Sequence, residues 1–137
     1  MSYKCFEVSI KNKIAHIVMN RPEKRNSMIP EFWDELPVIV KELDANAEAR
    51  VIVISSTGPH VTAGIDTAVF SNNAAQSDDP IVAEKQRRTH GAKLYDTVDY
   101  LQQTFTCLEE CRVPVLVAIQ GGVIGGGVDL ITACDMR

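Results

Sequence analysis

A glycine-rich run that directly follows an apolar stretch constrains the fold more than any other feature. Five glycines occupy the seven positions 121–127, between the apolar residues 115–119 and a segment with a helical pattern. Glycine allows positive φ and lets a ligand approach bare backbone N–H groups. The first turn of a helix leaves its N–H groups unpaired at the positive end of the helix dipole. The run therefore predicts a strand–turn–helix unit with a backbone anion site or, alternatively, a tight turn that only permits close packing.

The common phosphate and nucleophile motifs do not fit this run. Its glycines match G-x-G-x-x-G in no register, and Gly127 and Val128 stand where a P-loop requires Lys and Ser/Thr. The chain also lacks a G-x-S-x-G elbow. With these motifs excluded, the functional alternative for the run is a site where backbone N–H groups bind an oxygen atom that gains negative charge during a reaction. Asp129 follows Gly126 by three residues and shares its helix face, so its carboxylate either influences proton movement there or merely complements the helix dipole.

The rest of the chain predicts an α/β fold with parallel strand pairing. Strands alternate with helices, the strands are short apolar runs, and no linker divides residues 1–137, which we take as a single domain. Ser27 is expected to cap a helix with Pro30 in its first turn, and Pro37 is expected to kink or shorten it. The other expected elements are two strands within 6–19, a strand at 51–54, a mobile polar segment at 71–80, a helix at 81–111 and a strand at 115–119.

Charge and composition exclude several classes of function. The net charge is −4, from 14 Lys+Arg against 18 Asp+Glu, which disfavours a nucleic-acid or anionic-membrane footprint. No apolar run approaches the ~20 residues that span a bilayer, and the first residues lack a targeting pattern, so a cytoplasmic location is predicted. The four cysteines lack the paired C-x-x-C spacing of a zinc site, and Cys107 and Cys111, four residues apart on one helix face, are expected to be ordinary buried thiols.

Two further segments carry weaker signals. Residues 62–66 (TAGID) follow a strand and offer exposed N–H groups from small residues, as an ordinary turn also would. The functional interpretation of residues 62–66 is strengthened because an oxyanion hole normally needs two N–H donors from separate segments. Residues 20–26 (NRPEKRN) form a positive spot on an acidic chain, or else a plain solvated loop.

Taken together and in order, these segments resemble the crotonase (enoyl-CoA hydratase/isomerase) superfamily. The matching pieces are NRPEKRNSM at 20–28, TAGID at 62–66 and PVLVAIQGGVIGGGVDLITACDMR at 114–137. The pattern is most similar to delta-3,5-delta-2,4-dienoyl-CoA isomerases, because enoyl-CoA hydratases usually carry Glu at the position of Asp129. The resemblance implies a crotonase-like spiral of ββα units, an acyl-CoA thioester substrate, no metal or redox cofactor, and a homotrimer or hexamer at full length.

The resemblance also implies roles for individual residues. The N–H groups of Ile65 and Gly126 would bind the thioester oxygen, and Asp129 would assist the proton steps. Lys24 and Arg25 match the part of the family that contacts the nucleotide end of CoA. The acyl-CoA-binding stretch of the family matches Ala63, Gly64, Ile65, Asp66 and Thr67.

Family members continue for about as long again beyond the position of Arg137. In dienoyl isomerases that part carries a Glu and a second Asp for proton transfer, together with helices that close the acyl pocket. The chain is therefore expected to be the N-terminal portion of such a domain, without the full catalytic machinery. The predicted reaction converts a 3,5-dienoyl-CoA to a 2,4-dienoyl-CoA. The alternatives are hydration of a 2-enoyl-CoA and a non-catalytic acyl-CoA-binding or assembly module.

Overall fold

A four-stranded mixed sheet forms the base of the fold. The computed structural model describes residues 2–70 and 77–137, so most of the segment predicted to be mobile lies outside the described residues. The sheet has the order β1-β2-β3-β4, with β1 and β2 antiparallel and the other pairs parallel. Its strands are β1 (Phe6–Lys11), β2 (Ile14–Met19), β3 (Val51–Ser56) and β4 (Val115–Val117). The helices are α1 (Pro30–Asn46), α2 (Pro80–Glu109) and α3 (Gly126–Ala133), with 3-10 turns at Pro22–Lys24 and Thr67–Phe70.

A two-residue turn explains the antiparallel start of the sheet. Asn12 and Lys13 have φ values of 53° and 65°, and Lys11 pairs with Ile14 across them. Two consecutive left-handed residues are the geometry whose twist suits a tight hairpin. The two strands expected within residues 6–19 are therefore confirmed.

The start of α1 differs from the prediction. Ile29 occupies the N-cap position with no side-chain hydrogen bond, and Pro30 is the first helical residue. Ser27 lies too far before the helix to cap it, and its hydroxyl donates to Asp66 Oδ2 at 2.9 Å instead. The prediction that Ser27 caps the helix is wrong because a contact distant in sequence takes its hydroxyl.

Pro37 does not shorten α1, which continues to Asn46. Because proline has no N–H, the carbonyl of Trp33 loses its usual partner four residues later. The buried hydroxyl of Thr104 lies 3.3 Å from that carbonyl oxygen and shares its proton with the carbonyl of Tyr100. A side chain from α2 thus supplies the hydrogen bond that Pro37 removes.

The long helix α2 begins at an Asp79 cap, whose Oδ1 accepts from the N–H of Ile81 at 2.9 Å. Gly91 does not interrupt it, and it ends at Glu109 rather than at residue 111. Its last turns pack against α1, whereas most of its first two-thirds is exposed. No helix of the described residues is both long and apolar enough to cross a membrane.

β4 ends at Val117, two residues earlier than predicted. The side chain of Gln120 lies against the end of β3, where its Nε2 donates to the carbonyl of Ser56 at 2.8 Å. The chain therefore leaves the sheet before Gln120 and enters the glycine-rich loop, and the strand cannot extend to residue 119.

The core lies between the sheet and the helices, and a chain of aromatic contacts runs through it. The ring of Trp33 meets Phe32 and Phe105 edge-on, with centroids 5.2 and 5.5 Å apart. Of the two cysteines predicted to be buried thiols, Cys107 is buried and Cys111 is half-buried, and both are free; Cys134 is also free and buried. Burial raises the pKa of the Cys107 thiol to about 11 and that of Cys134 to about 12, so both stay protonated at neutral pH.

Substitution of Thr104 tests whether its hydroxyl replaces the helix hydrogen bond that Pro37 removes. Thr104→Val should lower the free energy of unfolding by about 1 kcal/mol, because it leaves a buried carbonyl unpaired. Thr97→Val is the matched control, since Thr97 donates to a carbonyl in the same helix from an exposed position. Urea denaturation measures both variants, and equal midpoint shifts for the two would contradict the account.

Candidate active site

Two loops meet at the end of the sheet and form the base of the site. One follows β3 and the other follows β4, and the carboxyl ends of adjacent parallel strands lie at one edge. A parallel bridge joins Thr62 to Val123. The carbonyl of Thr62 accepts from the N–H of Ile124 at 3.2 Å, and that of Gly122 accepts from Val61 at 3.0 Å. The TAGID and glycine-rich segments are therefore held side by side.

Two glycines make this close approach possible. Gly64 has φ +85°, and a Cβ there would lie 2.8 Å from the carbonyl oxygen of Ile124. Gly121 has φ +59°, and its Cβ would lie 2.0 Å from the carbonyl oxygen of Pro59. Neither position accepts a side chain without moving backbone, so both glycines are requirements of packing.

Buried polar side chains bind the NRPEKRN segment to this pair of loops. The Thr62 hydroxyl donates to the carbonyl of Asn26 at 2.6 Å and accepts from the N–H of Gly64 at 3.0 Å. The Asn26 side chain donates to the carbonyl of Thr57 at 2.9 Å. The exposed fractions of Asn26 and Thr62 are only 3% and 0%. Sequence reasoning missed this network, because the polar composition of residues 20–26 favoured a solvated loop.

The N–H groups of Ile65 and Gly126 are the predicted oxyanion donors, and both are unpaired in the described part of the chain. The next residues are bonded, since Asp66 N–H donates to Met28 at 2.9 Å and Gly127 N–H donates to Ile124 at 3.0 Å. Within residues 2–70 and 77–137, neither Ile65 N–H nor Gly126 N–H has a hydrogen-bond partner. A Cβ on Gly126 would lie 3.6 Å from Ile65 Cγ1, so the two segments are in contact.

A cavity of about 450 Å³ brings these donors together with Asp129. Asp129 lies one turn after Gly126, and its carboxylate has no hydrogen-bond or ion-pair partner in the described part of the chain. The structure thus gathers the three predicted catalytic residues around one space. The cavity is lined by Trp33, Ile65, Val98, Leu101, Gln102, Phe105, Thr106, Glu109, Gly126, Asp129, Thr132 and Ala133.

The predicted CoA-contacting residues lie on another side of the TAGID loop. Arg25 lines a smaller cavity of about 110 Å³ together with Ala63, whose N–H donates to the Arg25 carbonyl at 2.9 Å. Lys24 ends the 3-10 turn beside it and is exposed. The structure therefore brings Arg25 to the stretch that is predicted to bind acyl-CoA but leaves Lys24 outside both cavities.

Asp66 and Thr67, at the end of the same stretch, line neither of these two cavities. The Asp66 carboxylate accepts from the N–H of Ala68 at 3.0 Å and from the Ser27 hydroxyl at 2.9 Å. These bonds, with that of Ala68 the larger cause, lower the pKa of the carboxyl group. Asp66 therefore holds the loop in shape, while Thr67 is exposed at the start of a 3-10 turn.

Two residues outside the predicted site also belong to it. His60 Nδ1 accepts from the N–H of Gly122 at 2.9 Å, so this loop histidine positions the glycine-rich loop. Glu109 lines the main cavity. A sequence signal for Glu109 existed, because it continues the apolar stripe of α2 four residues after Phe105.

Comparison with known proteins gives the class of this fold and site. The solved enoyl-CoA hydratase of Mycobacterium smegmatis matches 98% of this chain with a TM-score of 0.77 and 25% identity, over 46% of its own length. The predicted crotonase-like α/β fold is therefore confirmed. The family model "Enoyl-CoA hydratase/isomerase" matches residues 9–137. The chain belongs to the enoyl-CoA hydratase/isomerase family.

Curated relatives refine this likeness. The peroxisomal Delta(3,5)-Delta(2,4)-dienoyl-CoA isomerase of Arabidopsis thaliana is 38% identical over 99% of the chain and 49% of its own length. The mitochondrial protein of the same name from Rattus norvegicus is 39% identical over 99% of the chain and 40% of its own length. The chain thus spans less than half of the length of these relatives.

The Thr62 network yields a direct test of how the site is built. Thr62→Val keeps the side-chain shape but removes both hydrogen bonds, so the free energy of unfolding should fall by about 2 kcal/mol. The affinity for a CoA thioester should fall with it, because Gly64 and Ile65 lose their anchor. Urea denaturation and calorimetric titration measure the two effects.

Thr89→Val serves as the control, because the Thr89 hydroxyl bonds only within α2 and is exposed. An affinity that is unchanged in Thr62→Val would contradict the role assigned to the network.

Proposed function

We propose that this chain carries the thioester-binding part of an enzyme that converts 3,5-dienoyl-CoA to 2,4-dienoyl-CoA. The observation that carries the proposal is that Ile65 and Gly126, whose N–H groups are unpaired, line the same cavity as Asp129. Relatives named dienoyl-CoA isomerases, at 38% and 39% identity, support the choice of reaction.

The proposed chemistry is a proton transfer along a conjugated thioester. A proton leaves C2, both double bonds move one position towards the thioester, and a proton is added at C6. When C2 loses its proton, negative charge moves onto the thioester oxygen. The N–H groups of Ile65 and Gly126 would stabilise that charge, and each such donor is typically worth about 10²–10³ in kcat. Asp129, one turn from Gly126, would take up the C2 proton.

The residues that would bind the CoA and acyl parts of the substrate are assigned by their charge and position. Lys24 and Arg25 present positive charge at the TAGID loop, which suits the phosphates of the CoA nucleotide end. The acyl-CoA would run along the stretch from Ala63 to Thr67 into the cavity. Proton transfer of this kind calls for no metal or redox cofactor. A cytoplasmic location and a trimeric or hexameric full-length protein stay predictions.

Hydration of a 2-enoyl-CoA is the second candidate. The structural match to the enoyl-CoA hydratase of Mycobacterium smegmatis favours it, and the same oxyanion donors would serve it. The shorter reach of Asp129 compared with a glutamate counts against it. A non-catalytic acyl-CoA-binding or assembly module is the third reading, in which the loops bind the thioester and Asp129 has no chemical task.

The reaction is tested on the protein in the form that its cell makes, after its intact mass has been measured. A 3,5-dienoyl-CoA and a 2-enoyl-CoA are supplied separately. A new 2,4-dienoyl chromophore from the first substrate supports the isomerase. Addition of one water to the second substrate alone would establish the hydratase instead, and tight binding without turnover of either would establish the binding module.

Substitution of Asp129 separates catalysis from binding. Asp129→Asn should lower kcat for the dienoyl substrate by about 10²-fold or more, because it removes a proton acceptor. The affinity for the CoA thioester should change little, since both oxyanion donors remain. Asp99→Asn, on the exposed face of α2, is the matched control. Turnover in Asp129→Asn equal to that of the control would contradict the catalytic assignment.

A further inference from the structure

The imidazole of His60 lies against the first two residues of the glycine-rich loop. Its Nδ1 accepts from the N–H of Gly122 at 2.9 Å. A Cβ on Gly121 would lie 2.7 Å from Nδ1 and one on Gly122 would lie 3.4 Å from it, so the ring comes this close because both residues are glycines. The contact joins the start of the glycine-rich loop to the residue that stands two before Thr62.

The backbone of His60 is fixed, so the ring is held at a defined place. The His60 carbonyl accepts from the Ser56 hydroxyl at 3.2 Å and from the buried Asn26 side chain at 3.4 Å. The N–H of the next residue, Val61, bonds to the Gly122 carbonyl at 3.0 Å. Two consecutive residues of one loop therefore hold both polar groups of the Gly122 backbone.

A short series of backbone contacts connects Gly122 to the oxyanion donors. The residue after it, Val123, forms the parallel bridge with Thr62. Ile124 donates to the Thr62 carbonyl at 3.2 Å, and its own carbonyl accepts from the first turn of α3, which begins at Gly126. A displacement at Gly122 therefore changes where the N–H of Gly126 lies relative to the main cavity.

The direction of the hydrogen bond defines the protonation state of the ring. The Gly122 N–H donates, so His60 Nδ1 carries a lone pair and the proton of the neutral ring is on Nε2. A second proton on the ring would go to Nδ1 and would place two donors 2.9 Å apart. The contact therefore exists only while the imidazole is neutral.

We infer that neutral His60 is a positioning residue of the oxyanion site: it holds the glycine-rich loop where Gly126 binds the thioester oxygen, and protonated His60 releases the loop. The inference rests on the proposed function, since it needs a thioester oxygen at this site. His60 lines the smaller cavity and not the main one, so it acts through Gly122 and not on the reacting atoms. Because histidine changes its charge between pH 5 and 8, binding of the thioester oxygen should weaken as the pH falls through this range.

Other charged groups near the ring are few in the part of the chain that the structure describes. Of the residues that line the smaller cavity with His60, Arg25 alone is charged, and an arginine keeps its charge across this pH range. Glu23 and Lys24, in the 3-10 turn before Arg25, are exposed, and residues 121–127 have no titratable side chain. Asp129 and the CoA phosphates are common to all the variants below, so a comparison between variants isolates His60.

Two ligands isolate the contribution of the thioester oxygen. They are a saturated acyl-CoA and the thioether in which CH2 replaces the thioester carbonyl, each titrated calorimetrically into the protein in the form that its cell makes. The ratio of the two affinities reports the oxygen, because the CoA and the rest of the acyl chain are the same in both ligands. For the wild type, this ratio should fall about threefold to tenfold between pH 8 and pH 5, as expected for the loss of one hydrogen bond.

Substitutions of His60 separate the hydrogen bond from other effects of the ring. His60→Asn places an amide oxygen, which does not titrate, near the position of Nδ1, and should keep the ratio high at both pH values. His60→Phe keeps a ring without an acceptor, so its ratio should be low at both. His90→Asn, on an exposed part of α2, is the matched control and should follow the wild type.

Three results would overturn the inference. The first is a wild-type ratio that is the same at pH 8 and pH 5, as when the affinities for both ligands fall equally. The second is a ratio in His60→Asn or His60→Phe that falls with pH as in His90→Asn, and the third is an equal ratio for His60→Asn and His60→Phe at pH 8. A wild-type protein that binds the thioester no more tightly than the thioether at pH 8 would instead refute the oxyanion site of the proposed function.

Discussion

The hydrogen bond from the N–H of Ile124 to the carbonyl of Thr62 joins the two loops from which the site is made. The bond from the N–H of Val61 to the carbonyl of Gly122 reinforces the same contact between the segment after β3 and the segment after β4. Gly64 allows the approach because a side chain there would strike the Ile124 carbonyl. The Thr62 hydroxyl extends the same contact to Asn26, so three segments distant in sequence become one rigid unit. The position of the unpaired N–H groups depends on this unit.

Those unpaired N–H groups carry a cost that a ligand would remove. Backbone donors in folded proteins are nearly always bonded, and an orphaned donor away from water costs about 1–3 kcal/mol. Here Ile65 and Gly126 line a cavity and their N–H groups have no partner in the described part of the chain, while the N–H groups of Asp66 and Gly127 are bonded. A thioester oxygen that gains negative charge is the partner that best offsets this cost.

The local hydrophobic pattern of the sequence was sufficient to predict most helices and strands. It did not predict the hydrogen bonds between segments that are distant in sequence. The apolar runs predicted the strands and the long helix, because periodicity reports which side of an element is buried. The start of α1 was predicted wrongly because the Ser27 hydroxyl donates to Asp66 instead of capping the helix. The length of α1 was not predicted because the Thr104 hydroxyl supplies the hydrogen bond that Pro37 removes. The glycine-rich run and helical spacing supplied Gly126 and Asp129 as candidates, the resemblance added Ile65, and the structure places all three at one cavity.

Glu109 shows the limit of motif reasoning most clearly. It lies in no motif, and only the packing of α2 against α3 brings it to the cavity. The chain spans less than half of the length of its dienoyl-CoA isomerase relatives, and two unpaired N–H groups and two unpartnered carboxylates belong to residues that line its main cavity.

The account is tested most directly by NMR spectra of the backbone amides of Ile65 and Gly126 with two matched ligands. One is a saturated acyl-CoA, which does not react, and the other is the thioether in which CH2 replaces the thioester carbonyl. We expect the amide protons of both residues to shift downfield with the thioester and to stay near their free positions with the thioether. Equal shifts with both ligands at saturation, or no shift of either amide, would contradict the assignment of these N–H groups as the thioester-oxygen site.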